Sequence, residues 1–509
     1  MAAVPSTSAA DGGRAVREVA WAALAGGVPL LVYLRTMAPT VYGLDSAELT
    51  TGAYALGIVH APGCPTYMLL GHLFSRLPLG DVGYRLNLLS AVAAALAALF
   101  LYRVLVRLTG ERAVALTATW FAAFTYYFWV SALAAELYAL HAAFVAGLQL
   151  LVLRWREEAR PAQLMLLALL FGIGAGNHLS IVLLLPGFAW LVVSGRRTPW
   201  RPAWLPLAVT ACGIAGAAIY LYLPLRYASD TPLNYARNDW HVDLTTAQGL
   251  RWMVTVRMFE SFLFAVPAAD LPHEMGVYAA RLWSNFVGLG VLLGAVGLAA
   301  DFRRRPSLHV GLGLLFAGHL AFYLTYRVGD KEVMLLPTYL VWSVWVALGA
   351  QVVCRGLGRM LPRGWSFSAP VLLLLLALGC LVVNFERVDV SGDWSARQRG
   401  EAILASLEPG AVYLGTWADV PILEYLQIVE HRRPDVRTVQ LLFRPERDGR
   451  IADDMLSAGR AVYTSAPSFL DGSDLVADRE DGCGCFRVRR PGPPAGEPEA
   501  TLTDARALP

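Results

Sequence analysis

About eleven apolar stretches run through this chain, and the short turns between them carry arginine in every second one. A hydrocarbon core about 30 Å thick is crossed by roughly 20 apolar helical residues. Lipid offers the backbone no hydrogen-bond partners, so such stretches cross as helices. The expected spans are 19–37, 87–107, 113–131, 137–154, 163–176, 179–195, 204–225, 283–300, 308–326, 333–353 and 369–385. Arg103, Arg107 and Arg112 flank one turn, Arg154, Arg156 and Arg160 a second, and Arg196, Arg197 and Arg201 a third. Arg303, Arg304 and Arg305, then Arg355, Arg359 and Arg363, complete the series, whereas 132–136 and 175–180 hold no arginine. Positively charged loops stay in the cytoplasm, so this alternation places the N-terminus there. The segment 163–195 is read as a hairpin turning at Gly176-Asn177-His178, because one long crossing would put its Arg-rich ends on opposite sides.

The fold class that follows is an all-α polytopic membrane protein with a small C-terminal α/β domain. Residues 1–13 read as a disordered tail and 14–385 as the transmembrane domain, with long outward loops at 38–86 and 226–282. Residues 386–490 read as an extracytoplasmic α/β domain, with strand-like runs at 411–416, 437–443 and 460–465 around a helix-like 420–429. Residues 491–509, rich in Pro, Gly and Glu, read as a flexible tail. Only 16% of residues are charged against 56% hydrophobic, which is the balance of a bilayer protein. The net charge of +3 gives no argument for nucleic acid. Arginine is used almost throughout, Lys331 is the single lysine, and Ala and Gly abound, which suggests a bacterial inner-membrane protein. Cys212, Cys354 and Cys380 read as small core residues, and Cys483 and Cys485 as too close for an ordinary bridge.

The first outward loop reads Gly43-Leu44-Asp45-Ser46-Ala47-Glu48, then His60-Ala61-Pro62-Gly63-Cys64-Pro65-Thr66-Tyr67. Asp45 and Glu48 have capping-box spacing, Asp45 as N-cap and Glu48 third in the helix, with Leu49, Ala53 and Leu56 lining an interfacial helix. The same carboxylates, at the membrane surface, would be within reach of a substrate entering from lipid. Glu136 and Tyr138 close one outward turn, and Asn177 and His178 the next. Ionisable side chains at apolar helix ends are costly unless paired or facing a wet cavity, which makes them functional candidates. Arg226 ends the seventh span, and Asp330, Lys331 and Glu332 occupy the last outward turn. A compact ammonium such as that of Lys331 suits a phosphate or a carboxylate cluster.

Leu44-Asp45-Ser46-Ala47-Glu48, His60-x-Pro-Gly-x-Pro-x-Tyr67, Tyr84-Arg85-Leu86-Asn87-Leu88-Leu89-Ser90 and Gly329-Asp330-Lys331-Glu332 occur in one order. In that order they resemble a family of multi-span membrane proteins catalogued as a domain of unknown function and related to protein O-mannosyltransferases. Trp417 to Gln427 and Arg433-Pro434-Asp435-Val436 resemble that family's tail, and Ala47 departs from its usual glycine. The resemblance implies a GT-C-type glycosyltransferase whose first outward loop carries the essential aspartate. The implied donor is a polyprenyl-phosphate-linked hexose, mannose foremost, and the acceptor an extracytoplasmic hydroxyl on protein or glycan. Asp45 would be the base and Glu48 its companion, with His60, Tyr67, Arg85, Glu136, Tyr138, Asn177 and His178 around the substrate. Arg226 and Lys331 would meet the departing phosphate, flanked by Asp330 and Glu332. Asp45 and Glu48 could share a divalent cation, but two carboxylates are an incomplete oxygen site and no metal is assigned. The alternative is a transporter or flippase for a glycolipid or sugar phosphate. That function favours ionisable residues at the bilayer midplane and internal repeats, neither of which the sequence displays.

Overall fold

The computed structural model describes residues 8–195, 203–329, 331–360, 368–442, 445–471, 473–480 and 484–491, which form two compact units, Met1–Trp394 and Ser395–Pro509. The first unit is helical. Seven of its described helices are long and apolar enough to cross a membrane: Val16–Thr36, Val82–Thr109, Leu137–Glu158, Leu205–Ala228, Pro306–Thr325, Leu336–Met360 and Ala369–Val388. Four expected spans are shorter or broken. The stretch at 113–131 is a helix Arg112–Ala123 and a separate turn Tyr126–Val130. Pro161–Ala175 and Leu179–Val193 are short, and the expected 283–300 span is a pair, Ala268–Asn285 and Leu289–Phe302, bent by 103°. Val287 and Gly288 take positive φ at that bend, which no continuous helix allows. The first helix begins at Ser8, so residues 8–13 are helical rather than tail.

Hydrogen bonds sort the turns into two groups. At one end Arg305 donates to Leu108 O (3.1 Å), Arg156 donates to Leu191 O (2.7 Å) and Ser307 Oγ (2.6 Å), and Gln351 donates to Thr109 O (3.1 Å). At the other, Val390 N donates to Thr36 O (3.0 Å) and Asn177 Nδ2 to Leu137 O (3.1 Å). Leu191 thus lies beside Arg156, at the end of the helix Leu137–Glu158 remote from Asn177. The chain from Pro161 to Ser194 therefore runs out and back, a hairpin turning at Gly176–His178 as the arginine pattern requires. Its outgoing arm packs on Leu205–Ala217, where a methyl added at Gly216 would run into Leu169 O. Small residues let apolar helices approach this closely in lipid.

The second unit is a five-stranded sheet. β1 (Val412–Gly415) lies parallel between β2 (Arg437–Gln440) and β3 (Val462–Thr464). β5 (Phe486–Arg489) runs antiparallel to β3, and β4 (Val476–Arg479) antiparallel to β5, giving the order β2-β1-β3-β5-β4. Val412, Leu414, Val462, Phe469 and Val488 form its core. The three parallel strands fall inside the expected runs, while β4 and β5, short and rich in Arg and Asp, lacked a hydrophobic signal. Cys485 is disulfide-bonded, and Cys483 lies outside the described residues. Residues 492–509 also lie outside them.

Candidate active site

The helix Asp45–Ala55 is buried from Ser46 through Ala53, so it is a packed element and not an interfacial one. A methyl at Gly52 would overlap Val59 and crowd Met68. The capping box does not form: Leu44, at positive φ, is the N-cap and makes no side-chain cap, and Asp45 is the first helical residue. The reason is a stronger partner for Glu48. Its carboxylate, fully buried, accepts from His60 N–H (2.6 Å) and meets His60 Nδ1 at 2.5 Å. Charge-assisted contacts of this length outweigh a neutral cap bond.

Several buried hydrogen bonds bring distant turns to this helix. Thr66 N donates to Gly176 O (3.0 Å) and Thr66 Oγ1 to Ile173 O (2.6 Å), joining the His60 loop to the Asn177 turn. Asn87 Nδ2 donates to Ala38 O (2.9 Å) and Thr40 O (2.8 Å), while its Oδ1 accepts from Ala135 N (2.9 Å). Ser46 Oγ also accepts from Ala135 N (3.1 Å), and Ser90 Oγ from Glu136 N (3.2 Å). From below, Ile58 N donates to Leu233 O (2.8 Å) and Tyr235 N to Ile58 O (3.0 Å), so the second long loop clamps the first.

The result is a cavity of about 430 Å³ with a polar end and an apolar wall. Asp45, His60, Glu136, Tyr138, Asn177 and His178 form the polar end, and Leu179, Leu183, Phe259, Leu263 and Phe322 belong to the wall. Glu48 backs the site through His60. Burial pushes the Glu48 carboxyl up, against the pull of His60. Burial opposes a charge on His60 as well, but the Glu48 carboxylate, with smaller contributions from Asp45 and Glu136, prevails and lifts His60 to about 10. The pair therefore holds one proton between them and behaves as a neutral, rigid unit. His178 moves the other way, to about 4, through burial and then the nearby His60, so it is an uncharged ring at neutral pH. One carboxylate oxygen each from Asp45 and Glu48 and one ring nitrogen of His60 lie within 4.8 Å of one another, a donor set that could hold a divalent cation.

Other expected site residues stand elsewhere. Arg226 donates through Nε to Leu56 O (2.7 Å) and through a terminal nitrogen to Ala55 O (3.3 Å), capping the Asp45 helix at its C-terminal end. Arg85 spends its guanidinium on Leu79 O, Ser75 O and Gly80 O. Tyr67 is buried beside Glu136, outside the cavity lining, and its hydroxyl is pushed above the usual range by that burial. Lys331 binds Glu274 (2.6 Å) and Glu332 pairs with Arg281, in a second, polar cavity of about 520 Å³ that shares Val328 with the first. Asp330 lies outside the described residues. Ser46, Asn87, Ser90, Ser180, Tyr323 and Tyr326 were not anticipated at the site. Asn87 and Ser90, one turn apart inside a motif already singled out, carried a signal that could have been used.

The bundle of long and broken helices has the fold of a membrane protein of known structure. Two structures of ArnT from Cupriavidus metallidurans superpose over nearly the whole chain. The form bound to undecaprenyl phosphate matches with a TM-score of 0.55 at 12% identity, covering 94% of this chain and 98% of that one. The apo form gives 0.58 at 12% identity, over 93% and 98%. Residues 45–201 match the sequence model of the protein O-mannosyl-transferase TMEM260 N-terminal domain. The chain is 31% identical over 441 residues to protein O-mannosyl-transferase TMEM260 of Mus musculus, covering 80% of this chain and 60% of that protein. It is 23% identical over 461 residues to its Dictyostelium discoideum counterpart, covering 80% and 55%. The chain thus spans somewhat over half the length of these relatives, and the resemblance seen in its motifs is to the TMEM260 family.

Proposed function

We propose that this chain is a membrane glycosyltransferase that moves a hexose, mannose first, from a polyprenyl-phosphate donor to a protein hydroxyl outside the bacterial inner membrane. The observation that carries this reading is the cavity that joins Asp45 and Glu136 to a long apolar wall, a shape suited to a sugar phosphate on a lipid tail. The named activity of the TMEM260 relatives and the undecaprenyl phosphate bound to ArnT support it. In a single inverting displacement the acceptor oxygen bonds to the anomeric carbon as the carbon–oxygen bond to phosphate breaks. The phosphate leaves with the electron pair, and Asp45 takes the hydroxyl proton. The neutral Glu48–His60 pair would hold the loop under Asp45 without competing for that proton. A divalent cation taken by Asp45, Glu48 and His60 would displace the proton that the Glu48–His60 pair shares, so the metal-bound and the proton-sharing states of these residues are alternatives.

Purified protein given a labelled polyprenyl-phosphate hexose should transfer it to protein, and Asp45→Asn should reduce the rate by about 10²–10⁴-fold without lowering thermal stability. Full activity in that variant would remove Asp45 as the base. Adding a divalent cation should raise the melting temperature of the wild type and not of Glu48→Gln. An equal response in both proteins would show that this donor set binds no metal.

A further inference from the structure

Behind the cavity wall lies a chain of imidazoles that the reaction scheme above does not use. His178 lines the cavity, and its Nδ1 stands 2.7 Å from Ser180 Oγ. Ser180 Oγ is in turn 3.3 Å from Nε2 of His141, a fully buried ring in the helix Leu137–Glu158. His141 stacks on His319 at 6.0 Å between centroids, and His319 Nε2 stands 3.0 Å from Met334 O. The Nδ1 atoms of both His141 and His319 are buried and have no hydrogen-bond partner among the described residues.

These orphans set the direction of every proton in the chain. A buried N–H with no acceptor is the rarer and costlier orphan, while a neutral imidazole tolerates one idle lone pair. His319 therefore carries its proton on Nε2, donating to the Met334 carbonyl, which can only accept. His141 likewise carries its proton on Nε2 and donates to Ser180 Oγ. Ser180 Oγ makes no other hydrogen bond among the described residues, so its hydroxyl donates onward to His178 Nδ1. His178 must then bear its own proton on Nε2. Its low basicity agrees with a ring that stays neutral in that state.

We propose that His141 and Ser180 are positioning residues that hold His178 as its Nε2–H tautomer, so that the cavity wall offers an uncharged hydrogen-bond donor to a hydroxyl oxygen of the donor's sugar. A sugar hydroxyl suits this position better than phosphate. His178 brings no positive charge, and Asp45 and Glu136 line the same cavity, so an anion there would face carboxylates without a compensating cation on this ring. The ligand's identity rests on the glycosyltransferase reading; the tautomer does not.

The test uses the full chain in nanodiscs with two probes, polyprenyl-phosphate mannose and the same polyprenyl phosphate without sugar. His178→Phe and Ser180→Ala should raise KM for the sugar-bearing lipid about tenfold, the scale of one lost hydrogen bond, with kcat moved less. Inhibition by the sugar-free lipid should not change, and Ser180→Thr, which keeps the hydroxyl, should stay within about twofold of wild type. Solid-state NMR of ¹⁵N-histidine protein should show a neutral Nε2–H ring that vanishes in His178→Gln and changes in Ser180→Ala. Equal weakening of both lipids, or a wild-type His178 protonated on Nδ1, would overturn the proposal. A wild-type protein inert to every lipid-linked hexose would instead sink the proposed function, and the NMR result would still decide the tautomer.

Discussion

At the scale of single residues, burial divides the polar groups of the cavity by protonation. His60 keeps a proton because Glu48 sits 2.5 Å away, and His178 refuses one because it is buried and lies near His60. That refusal has a consequence for stability. The folded value of His178 is about 4 against 6.5 for a free imidazole. Above 6.5 both states are neutral there, and stability owes nothing to the site. As pH falls from 6.5 toward 4, the unfolded chain binds a proton that the folded chain does not, so stability declines. Thermal melts in detergent between pH 7 and 4.5 should therefore fall less steeply for His178→Gln than for wild type. Parallel curves would mean that the ring is not held neutral by the fold. None of this was legible in the sequence. A histidine in a turn shows its environment only when Tyr138, His141 and Ser180 have been folded around it.

Elements tell a different story about legibility. Helix positions in the bundle were readable because lipid imposes length and apolarity on each one. What the pattern could not show was which end of each short helix would be tied, and to what. Asp45 and Glu48 had the spacing of a cap, yet the carboxylate found His60, twelve residues on, because the loop between them folds back under the helix. Arg226 had the look of a phosphate ligand at a helix end, yet its guanidinium closes the Asp45 helix from the opposite side of the sequence. Cationic side chains on terminal carbonyls contribute about 0.3–1 kcal/mol at exposed sites and more when partly buried. Arg226→Gln should therefore lower the melting temperature by a few degrees, the response expected for about 1 kcal/mol, and leave the affinity for sugar-free polyprenyl phosphate unchanged. If that affinity fell tenfold with the melting point intact, Arg226 would be a phosphate ligand after all.

Over the whole molecule, the alternation of arginine in the turns did more than any motif, because it bears on where every later segment goes. The structure agrees at the point of greatest leverage. Pro161–Ala175 is about 22 Å long and Leu179–Val193, which opens with a 3₁₀ segment, about 26 Å, both short of a core of about 30 Å, and they could have been halves of one crossing. Instead Arg156 holds the chain at Leu191 and Ser194, near the point from which the first arm departed. With that return, the turns at Arg112, Arg156 and Arg305 share one end, and those at Glu136, Asn177 and Arg226 share the other. Positive charge should keep the first end in the cytoplasm. In a variant lacking native cysteines, Arg112→Cys and Arg304→Cys should react with an impermeant thiol reagent only when the cytoplasmic face is opened. Asp239→Cys and Gly329→Cys should react from outside in intact cells. Labelling of Arg112→Cys and Arg304→Cys from opposite faces would convert the hairpin into a single crossing in the membrane. The second long loop would then leave the first, and the cavity could not assemble as described.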